Sequence, residues 1–309
     1  MTARGLLLYN PASGSAAGHS PEQLATLLSE GGATVQTHRI GDTFENTIEE
    51  VVNNFIKSGG RWVAVAGGDG TVEAVARALV GSEIPLGIIP VGTYNNFALS
   101  AGIPADPVEA CRIIATGKIR PVDVGFVNGH PFFEVVGIGL DAALFPASED
   151  IKSGALARIW ELAREAWHQP RHHLTLELDR PFTAARKSAR HAEGAHHGSR
   201  HLRLRALMLT ISNAPYYGMN FAVAPKASID DGLLTITAFK RYSKLELLWH
   251  FFAIRAGRRA YTPRLVTLQV ERLRITSSQR PPVHADGTAL DEWPLDLSIS
   301  RGALRLLKP

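Results

Sequence analysis

At 309 residues, 45% hydrophobic and 20% charged, the chain is long enough for one large domain or two ordinary ones and has the composition of a globular protein with a sizeable core. Its single cysteine, Cys111, excludes a disulfide framework within the chain and suits a reducing compartment. The net charge of +4 hides a division: residues 1–150 carry 8 Lys/Arg against 16 Asp/Glu, and residues 151–309 carry 25 against 13, so two units are expected, the second facing something anionic.

In chain order, "MTARGLLLYN" reads as a first strand rather than a signal peptide, because its apolar stretch is short and runs into a loop. "LLLYN" (6–10), "TVQTHRI" (34–40), "WVAVAG" (62–67) and "PLGIIPVG" (85–92) predict buried strands bounded by turn residues. "PEQLATLLSEGG", "FENTIEEVVNNFIKSGG" and "VEAVARALVGS" lie between them with apolar residues at helical spacing and a glycine after the end. Such alternation predicts an α/β unit: a parallel sheet covered on both faces, with ligands at the carboxyl ends of its strands. No run of roughly 18 uncharged apolar residues occurs, which argues against a transmembrane helix.

After "PVDVG" (121–125) strand-like segments follow one another: "VDVGFVN", "HPFFEVVGIG", "HLTLELD", "LRALMLTISN", "GLLTITAF", "VTLQVERLRITS" and "LDLSIS". Helical patterns are confined chiefly to 155–168 and 244–257. A second, mostly antiparallel β-sandwich-like domain is therefore expected, with boundaries that give 1–121 plus about 297–309 to the first unit and 122–296 to the second. The stretch 180–205 holds seven Lys/Arg, four His and one acid without apolar periodicity, and is expected to be a loop.

Three glycine-containing loops follow strands of the first unit. In "VAGGDGTVEAV" Gly67 and Gly68 let backbone amides approach a ligand, with φ > 0 accessible, and Thr71 is placed to cap the next helix, whose N-terminus attracts phosphate. Asp69 would repel phosphate unless it works through Mg²⁺ or a ribose hydroxyl, so the set suggests a metal–nucleotide site. "YNPASGSAAG" and "PVGTYNNFA" offer small residues and the hydrogen-bonding side chains of Thr93, Asn95 and Asn96 at neighbouring strand ends. There is no G-x-x-x-x-G-K-[ST] loop and no G-x-S-x-G elbow, and "GIGLDA" reads as a turn in the β-rich half. The histidines of the basic stretch lack cysteine partners and helical ligand spacing for zinc, and the basic half lacks the aromatic interleaving of a nucleic-acid surface.

Taken together, "NPASG", "GGDGT", "PVGTYNNFA", "VDVG", "APKASIDDGLL" and "HADG" resemble the diacylglycerol kinase catalytic-domain family, which includes sphingosine kinases and bacterial soluble lipid kinases. "GGDGT" is shared with NAD kinases and phosphofructokinases, whereas "ISNAPYYGMNFAVAPKASIDDGLL" resembles the lipid-kinase branch.

The resemblance implies an ATP-dependent kinase of a membrane lipid. Asn10, Pro11, Ala12, Ser13, Gly14, Thr37, Gly67, Gly68, Asp69, Gly70, Thr71, Thr93 and Asn95 stand at or beside positions that hold ATP in the family. Ser228 and Leu233, through their carbonyls, and Asp231 match a Mg²⁺ site linked to the nucleotide by water and by acids such as Asp69 and Asp123. Asp286 matches the aspartate of the family's D-G-E motif, where the general base is expected. The last residues are expected to fold back onto the first domain. Cytoplasmic placement with peripheral attachment to an anionic membrane follows, with no nucleic-acid partner. No motif fixes the oligomeric state, and a homodimer stays open. Thr288 replaces the glutamate of D-G-E, Asn96 replaces a more usual aspartate, and "TVEA" replaces "TLNE". These departures keep two other readings in view: a kinase of a soluble substrate such as NAD, and a nucleotide-binding regulator with weak catalysis.

Overall fold

The computed structural model describes residues 4–14, 18–41, 45–140, 142, 168, 170–181, 199–218, 220–239 and 265–309. The helical patterns at 155–168 and 244–257 and most of the basic stretch, 182–198, fall outside these residues, His168 excepted. The chain parts into two compact units, Met1–Val124 with Ser300–Pro309, and Gly125–Ile299.

In the first unit the elements are β1 (Arg4–Tyr9), α1 (Pro21–Ser29), β2 (Thr34–Arg39), α2 (Glu45–Lys57), β3 (Trp62–Gly67), α3 (Asp69–Leu79), β4 (Leu86–Pro90), α4 (Asn96–Ser100), α5 (Pro107–Thr116) and most of β5 (Lys118–Val127). The strands lie side by side in the order β2-β1-β3-β4, all parallel. Parallel pairing with helices on both faces buries each inner strand on both sides, which is why β1, β3 and β4 are nearly continuous apolar runs. One parity of side chains (Leu7, Tyr9, Ala64, Ala66, Ile89, Val91) packs with Leu24 and Leu28 of α1 and Cys111 and Ile114 of α5. The opposite parity (Leu6, Leu8, Val63, Val65, Ile88) is also fully buried; α2 packs on α3, and α3 packs on β3 and β4.

Two helices gain their starts from short polar signals. Ser20 and Gln23 form a reciprocal capping box at α1, and Asp106 accepts from the Val108 N–H at α5. Strand β2 departs from the buried strand expected of "TVQTHRI": it pairs only with β1, and four of its six residues are exposed. Burial pushes the Cys111 thiol up to about 12, with the carboxylates of Asp106 and Glu30 adding to the shift, so the one cysteine is an inert core side chain.

The second unit follows with β6 (His130–Phe132), β7 (Val135–Gly139), β8 (His172–Leu178), β9 (His201–Ala206), β10 (Met208–Ser212), β11 (Leu234–Phe239), β12 (Leu265–Val270), β13 (Arg272–Thr276), β14 (Val283–Ala285), β15 (Thr288–Leu290) and the start of β16 (Leu295–Lys308). One layer runs β12-β11-β10-β7-β14-β15, antiparallel throughout. The other places β13 between β16 and β8, with β9 beyond. Leu176, Leu204, Leu273 and Leu297 from this layer share one apolar cluster with Ile138, Leu209, Ile211 and Ile236 from the first. The expected sandwich is thus observed.

Runs read as single strands are in fact split. "LRALMLTISN" breaks at Leu207 and "VTLQVERLRITS" at Glu271, and in both the chain passes from one layer to the other at the break. The basic stretch 180–205 is not loop throughout. Its end is β9, paired to β8, with His201, Arg203 and Arg205 exposed and Leu202, Leu204 and Ala206 buried.

The second half of β16 belongs to the first unit, where Leu306 stands beside Leu86 of β4 in parallel. The Gly81 N–H donates to the Ala303 carbonyl at 2.7 Å, and Arg305 pairs with Glu83.

Gly5 shows how tightly this sheet is filled. It stands opposite Trp62 in the register, and a Cβ there would lie 2.1 Å from the indole ring. Gly5→Ala is expected to displace Trp62 and lower stability by about 1–3 kcal/mol, which thermal melting followed by indole fluorescence measures.

Candidate active site

In the first unit the strand order reverses direction between β1 and β3: the chain goes from β1 outward to β2, then returns past β1 to β3 and on to β4. In parallel sheets this reversal opens a crevice at the carboxyl ends of the two strands. The loops that begin there are Asn10–Gly14 after β1 and Gly67–Thr71 after β3.

Side chains knit these loops together. The Asn10 N–H donates to the Ala66 carbonyl (3.0 Å), extending the β1–β3 ladder by one residue. Buried Asn10 sends its Nδ2 to the Thr71 hydroxyl at 2.8 Å, while its Oδ1 accepts from the Ala12 N–H at 3.0 Å. The Gly68 N–H donates to Ser13 Oγ at 3.2 Å. The β4 loop closes the third side: the Val91 N–H reaches the Gly67 carbonyl at 3.2 Å, and a Cβ on Gly92 would lie 2.3 Å from Gly68 Cα. A Cβ on Gly14 would lie 3.3 Å from Thr93 Oγ1, so the β1 and β4 loops also abut.

The reason for the glycines differs from the one read in the sequence. None of Gly14, Gly67, Gly68, Gly70 or Gly92 has a positive φ, and Gly68 sits at −88°. At Gly68 and Gly92 the need is close approach of two backbones, and at Gly67 it is room for the Thr71 side chain; left-handed conformation is not the reason. Thr71 is likewise not the cap: Gly68 is, with Thr71 inside the first turn of α3, buried, its methyl-bearing side packed 2.6 Å from where a Gly67 Cβ would be. An added Cβ at Gly70 would meet nothing within 4 Å, so the backbone at the start of α3 is open to a ligand.

Asp69 and Asn95 have internal duties as well. Asp69 Oδ1 accepts from the Phe97 N–H at 3.3 Å and so caps α4 from the neighbouring helix. Asn95 is left-handed (φ 54°) and clamps its own turn, accepting from the Gly92 N–H at 2.9 Å and donating to the Gly92 carbonyl at 3.0 Å. Thr37 lies mid-strand on exposed β2, opposite Leu7, two residues short of the strand end. Buried Asp123 accepts from the Gly302 N–H at 2.8 Å, where Gly302 (φ 61°) bends β16.

The second unit holds Asp286 at the tip of the β14–β15 hairpin. Ala285 and Thr288 pair, and both turn residues have positive φ (Asp286 45°, Gly287 89°), the type I′ geometry for which Asp-Gly is the sequence signal. Its carboxylate accepts three backbone N–H groups: Phe133 on Oδ2 (2.5 Å), and Glu134 (3.0 Å) and Val135 (2.8 Å) on Oδ1. A carboxylate has about four acceptor positions, so among the described residues one remains, on Oδ2. Burial pushes the Asp286 carboxyl above the ordinary carboxylate range, and the three amide donors pull against that shift.

Three supporting residues escaped the sequence reading. Fully buried Asn213 donates its Nδ2 to the Phe133 carbonyl (3.0 Å) and its N–H to the Glu134 carbonyl (2.9 Å), fixing the backbone that holds Asp286. His284 accepts at Nδ1 from the Gly287 N–H (3.1 Å), and its Nε2 lies 3.2 Å from the Tyr217 hydroxyl, with the two rings stacked 5.6 Å apart. "HADG" and "NAPYY" contain these residues, but nothing in their spacing shows that they meet.

The oxygens of the loop at Ser228–Leu233 are hard donors of the kind Mg²⁺ takes: a carboxylate and two carbonyls. Exposed Asp231 accepts from the Leu233 N–H at 2.9 Å on Oδ1 and from Gln269 Nε2 at 3.4 Å on Oδ2, and Ser228 Oγ donates to Asp230. Among the described residues no cluster of three or more His, Cys, Asp or Glu side chains forms a metal cage.

Comparison with known proteins separates the same two halves. The profile described as "Diacylglycerol kinase catalytic domain" matches residues 4–127, and "YegS C-terminal NAD kinase beta sandwich-like domain" matches 183–308. "Probable lipid kinase YegS-like" of Klebsiella pneumoniae (strain 342) is 30% identical over 250 residues, covering 80% of this chain and 77% of that protein. The chain belongs to the diacylglycerol kinase family. An uncharacterized protein of Synechocystis sp. is 29% identical over 259 residues, covering 81% of this chain, which spans 55% of that protein's length. A crystal structure of a diacylglycerol kinase from Bacillus anthracis str. Sterne shares the fold at a TM-score of 0.72 and 20% identity, covering 99% of this chain and 97% of that one. Membership of this kinase family implies ATP as phosphoryl donor.

Thr71→Val keeps the packing against Gly67 but strips Asn10 Nδ2 of its buried acceptor. It is expected to cost about 1–3 kcal/mol and to weaken nucleotide binding, while Thr71→Ser stays near wild type. Thermal melting together with calorimetric titration of a non-hydrolysable ATP analogue checks both.

Proposed function

We propose that the chain is an ATP- and Mg²⁺-dependent kinase that passes the γ-phosphoryl group to a hydroxyl of a membrane lipid, of the diacylglycerol or sphingoid-base type. The observation that carries this reading is the three-loop cluster at the sheet's reversal point, held together by Asn10, Ser13 and Thr71. Phosphates would rest against the amides of Gly67–Thr71 at the start of α3, where the helix end favours negative charge. The Asn10–Gly14 loop and Thr93 would flank them. Asp231, with the Ser228 and Leu233 carbonyls, would hold Mg²⁺, which when bound offsets charge on the transferring group.

In the transfer, the bond between the γ-phosphorus and its bridging oxygen breaks, ADP leaves with that oxygen, and the lipid oxygen bonds to phosphorus. The hydroxyl proton moves to the remaining acceptor position on Asp286 Oδ2. A carboxyl raised by burial is a better proton acceptor than an exposed one. Thr288, the next residue but one, supplies no second carboxylate.

The test is steady ADP production with Mg²⁺, labelled ATP and a panel of hydroxyl lipids in mixed micelles, with NAD as a control. Lipid-dependent turnover is expected. Asp286→Asn is expected to remove it by about 10²-fold or more while ATP affinity persists. Phosphorylation of NAD without lipid turnover would transfer the reading to a soluble substrate, and tight ATP binding with no turnover at all would make the chain a regulator.

Access to a lipid calls for contact with a bilayer, and no helix among the described residues is long and apolar enough to cross one. We infer peripheral attachment to an anionic surface. In its support, β9 and β13 expose Arg203, Arg205, Arg272 and Arg274 on the solvent face of their layer, and only Arg274 has an ion-pair partner, Asp296, among the described residues. Binding to phosphatidylserine-containing vesicles is expected to weaken with salt and to lose about 1 kcal/mol per arginine in Arg203→Glu/Arg205→Glu. Equal sedimentation of both proteins with such vesicles would exclude this face.

A further inference from the structure

We propose that His284 is a positioning residue for the transfer step: it clamps the Asp286–Gly287 turn by accepting a backbone hydrogen bond that a two-residue hairpin leaves unmade. The inference rests on the reading of Asp286 as the proton acceptor.

A type I′ hairpin closes on its flanking pair, here Ala285 and Thr288, and the amides of its two central residues point away from the ladder. Both have partners in this protein. The Asp286 N–H donates to the Val135 carbonyl at 3.0 Å, and the Gly287 N–H donates to His284 Nδ1 at 3.1 Å. The turn is therefore held from β7 on one side and by its own strand's imidazole on the other. Asp286 cannot swing without breaking one of these bonds.

The Gly287 contact also fixes the state of the ring. A nitrogen that accepts from an N–H carries no proton, so Nδ1 is bare and the hydrogen of the neutral imidazole is on Nε2. Nε2 then donates to the Tyr217 hydroxyl at 3.2 Å. Room for this arrangement comes from the register: the neighbours of His284 across the sheet are Gly137 on β7 and Ala289 on β15, and the Tyr217 ring stacks at an interplanar angle of 20°. His284 is only 2% exposed, so its ring nitrogens are shielded from water.

This role predicts which atom of His284 matters. An asparagine carries an acceptor at the place of Nδ1 and nothing at Nε2; a glutamine carries a donor near Nε2 and nothing at Nδ1. In mixed micelles with ATP, Mg²⁺ and a hydroxyl lipid, His284→Ala is expected to lower kcat about tenfold to a hundredfold, with KM for ATP little changed. His284→Asn should recover most of kcat, and His284→Gln should remain as low as His284→Ala. Each substitution removes one part-buried hydrogen bond, so melting temperatures of the Asn and Gln variants should fall together while their kcat values part. Equal kcat for the two, or recovery by Gln alone, overturns the clamp. Asp286→Asn is assayed beside them: full activity there removes the reading of Asp286, whereas an inactive Asp286→Asn with a fully active His284→Ala removes only the role of His284.

Discussion

A single buried amide group, the side chain of Asn10, sets the geometry on which the strand-end loops of the first unit depend. It leaves the β1 ladder through its backbone, ties its own loop through Oδ1 and reaches the first turn of α3 through Nδ2. Two loops that are 57 residues apart in the chain, beginning at 10 and 67, are thereby fixed to each other. The glycines follow from that constraint. With Gly68 and Gly92 backbones in contact, a side chain on Gly92 would push the β3 and β4 loops apart. The site is a packing solution first and a set of donors second, and that rigidity suits the phosphate-positioning role proposed for it.

The second unit applies the same economy to one carboxylate. Asp286 occupies a left-handed position that suits aspartate better than most residues, and three successive amides of residues 133–135 converge on it. Asn213 holds the carbonyl side of the same backbone. The arrangement resembles an anion nest occupied by the protein's own side chain. It also explains how Asp286 could serve at once as a turn residue and as a proton acceptor: most of its oxygen valence is structural, and what remains has a fixed direction.

Much of this was legible in the residues. Alternating apolar runs and helical spacing give β1, β3 and β4 with α1, α2 and α3, because parallel strands buried on both faces have a distinctive texture. The glycine loops and the Asp-Gly turn were visible because both signals are local. What escaped was non-local or masked by composition. The end of "ARHAEGAHHGSRHLRLR" becomes β9, its period of two hidden behind a charge run. β2 lost its burial because its position at the sheet edge is a property of topology, not of "TVQTHRI". At Leu207 and Glu271 the alternation slips by one residue, from Leu202 and Leu204 to Leu209 and Ile211 and from Leu268 and Val270 to Leu273 and Ile275, and so small a slip is easily read as one strand. α4 and α5 follow short caps, Asn95 and Asp106, too brief to announce a helix among glycines and prolines. His284, Tyr217 and Asn213 meet only because distant strands pair.

The sharing of β16 between the two units has a consequence for synthesis. Residues 295–298 pair with β13, whereas Leu306, which pairs with Leu86 of β4, comes after them in the chain. Growing from its amino end, the chain presents β1 to β4 early and leaves one flank of β4 uncovered until β16 emerges. The second unit can close before the first one does. Such a wait exposes an edge able to join a neighbouring nascent chain.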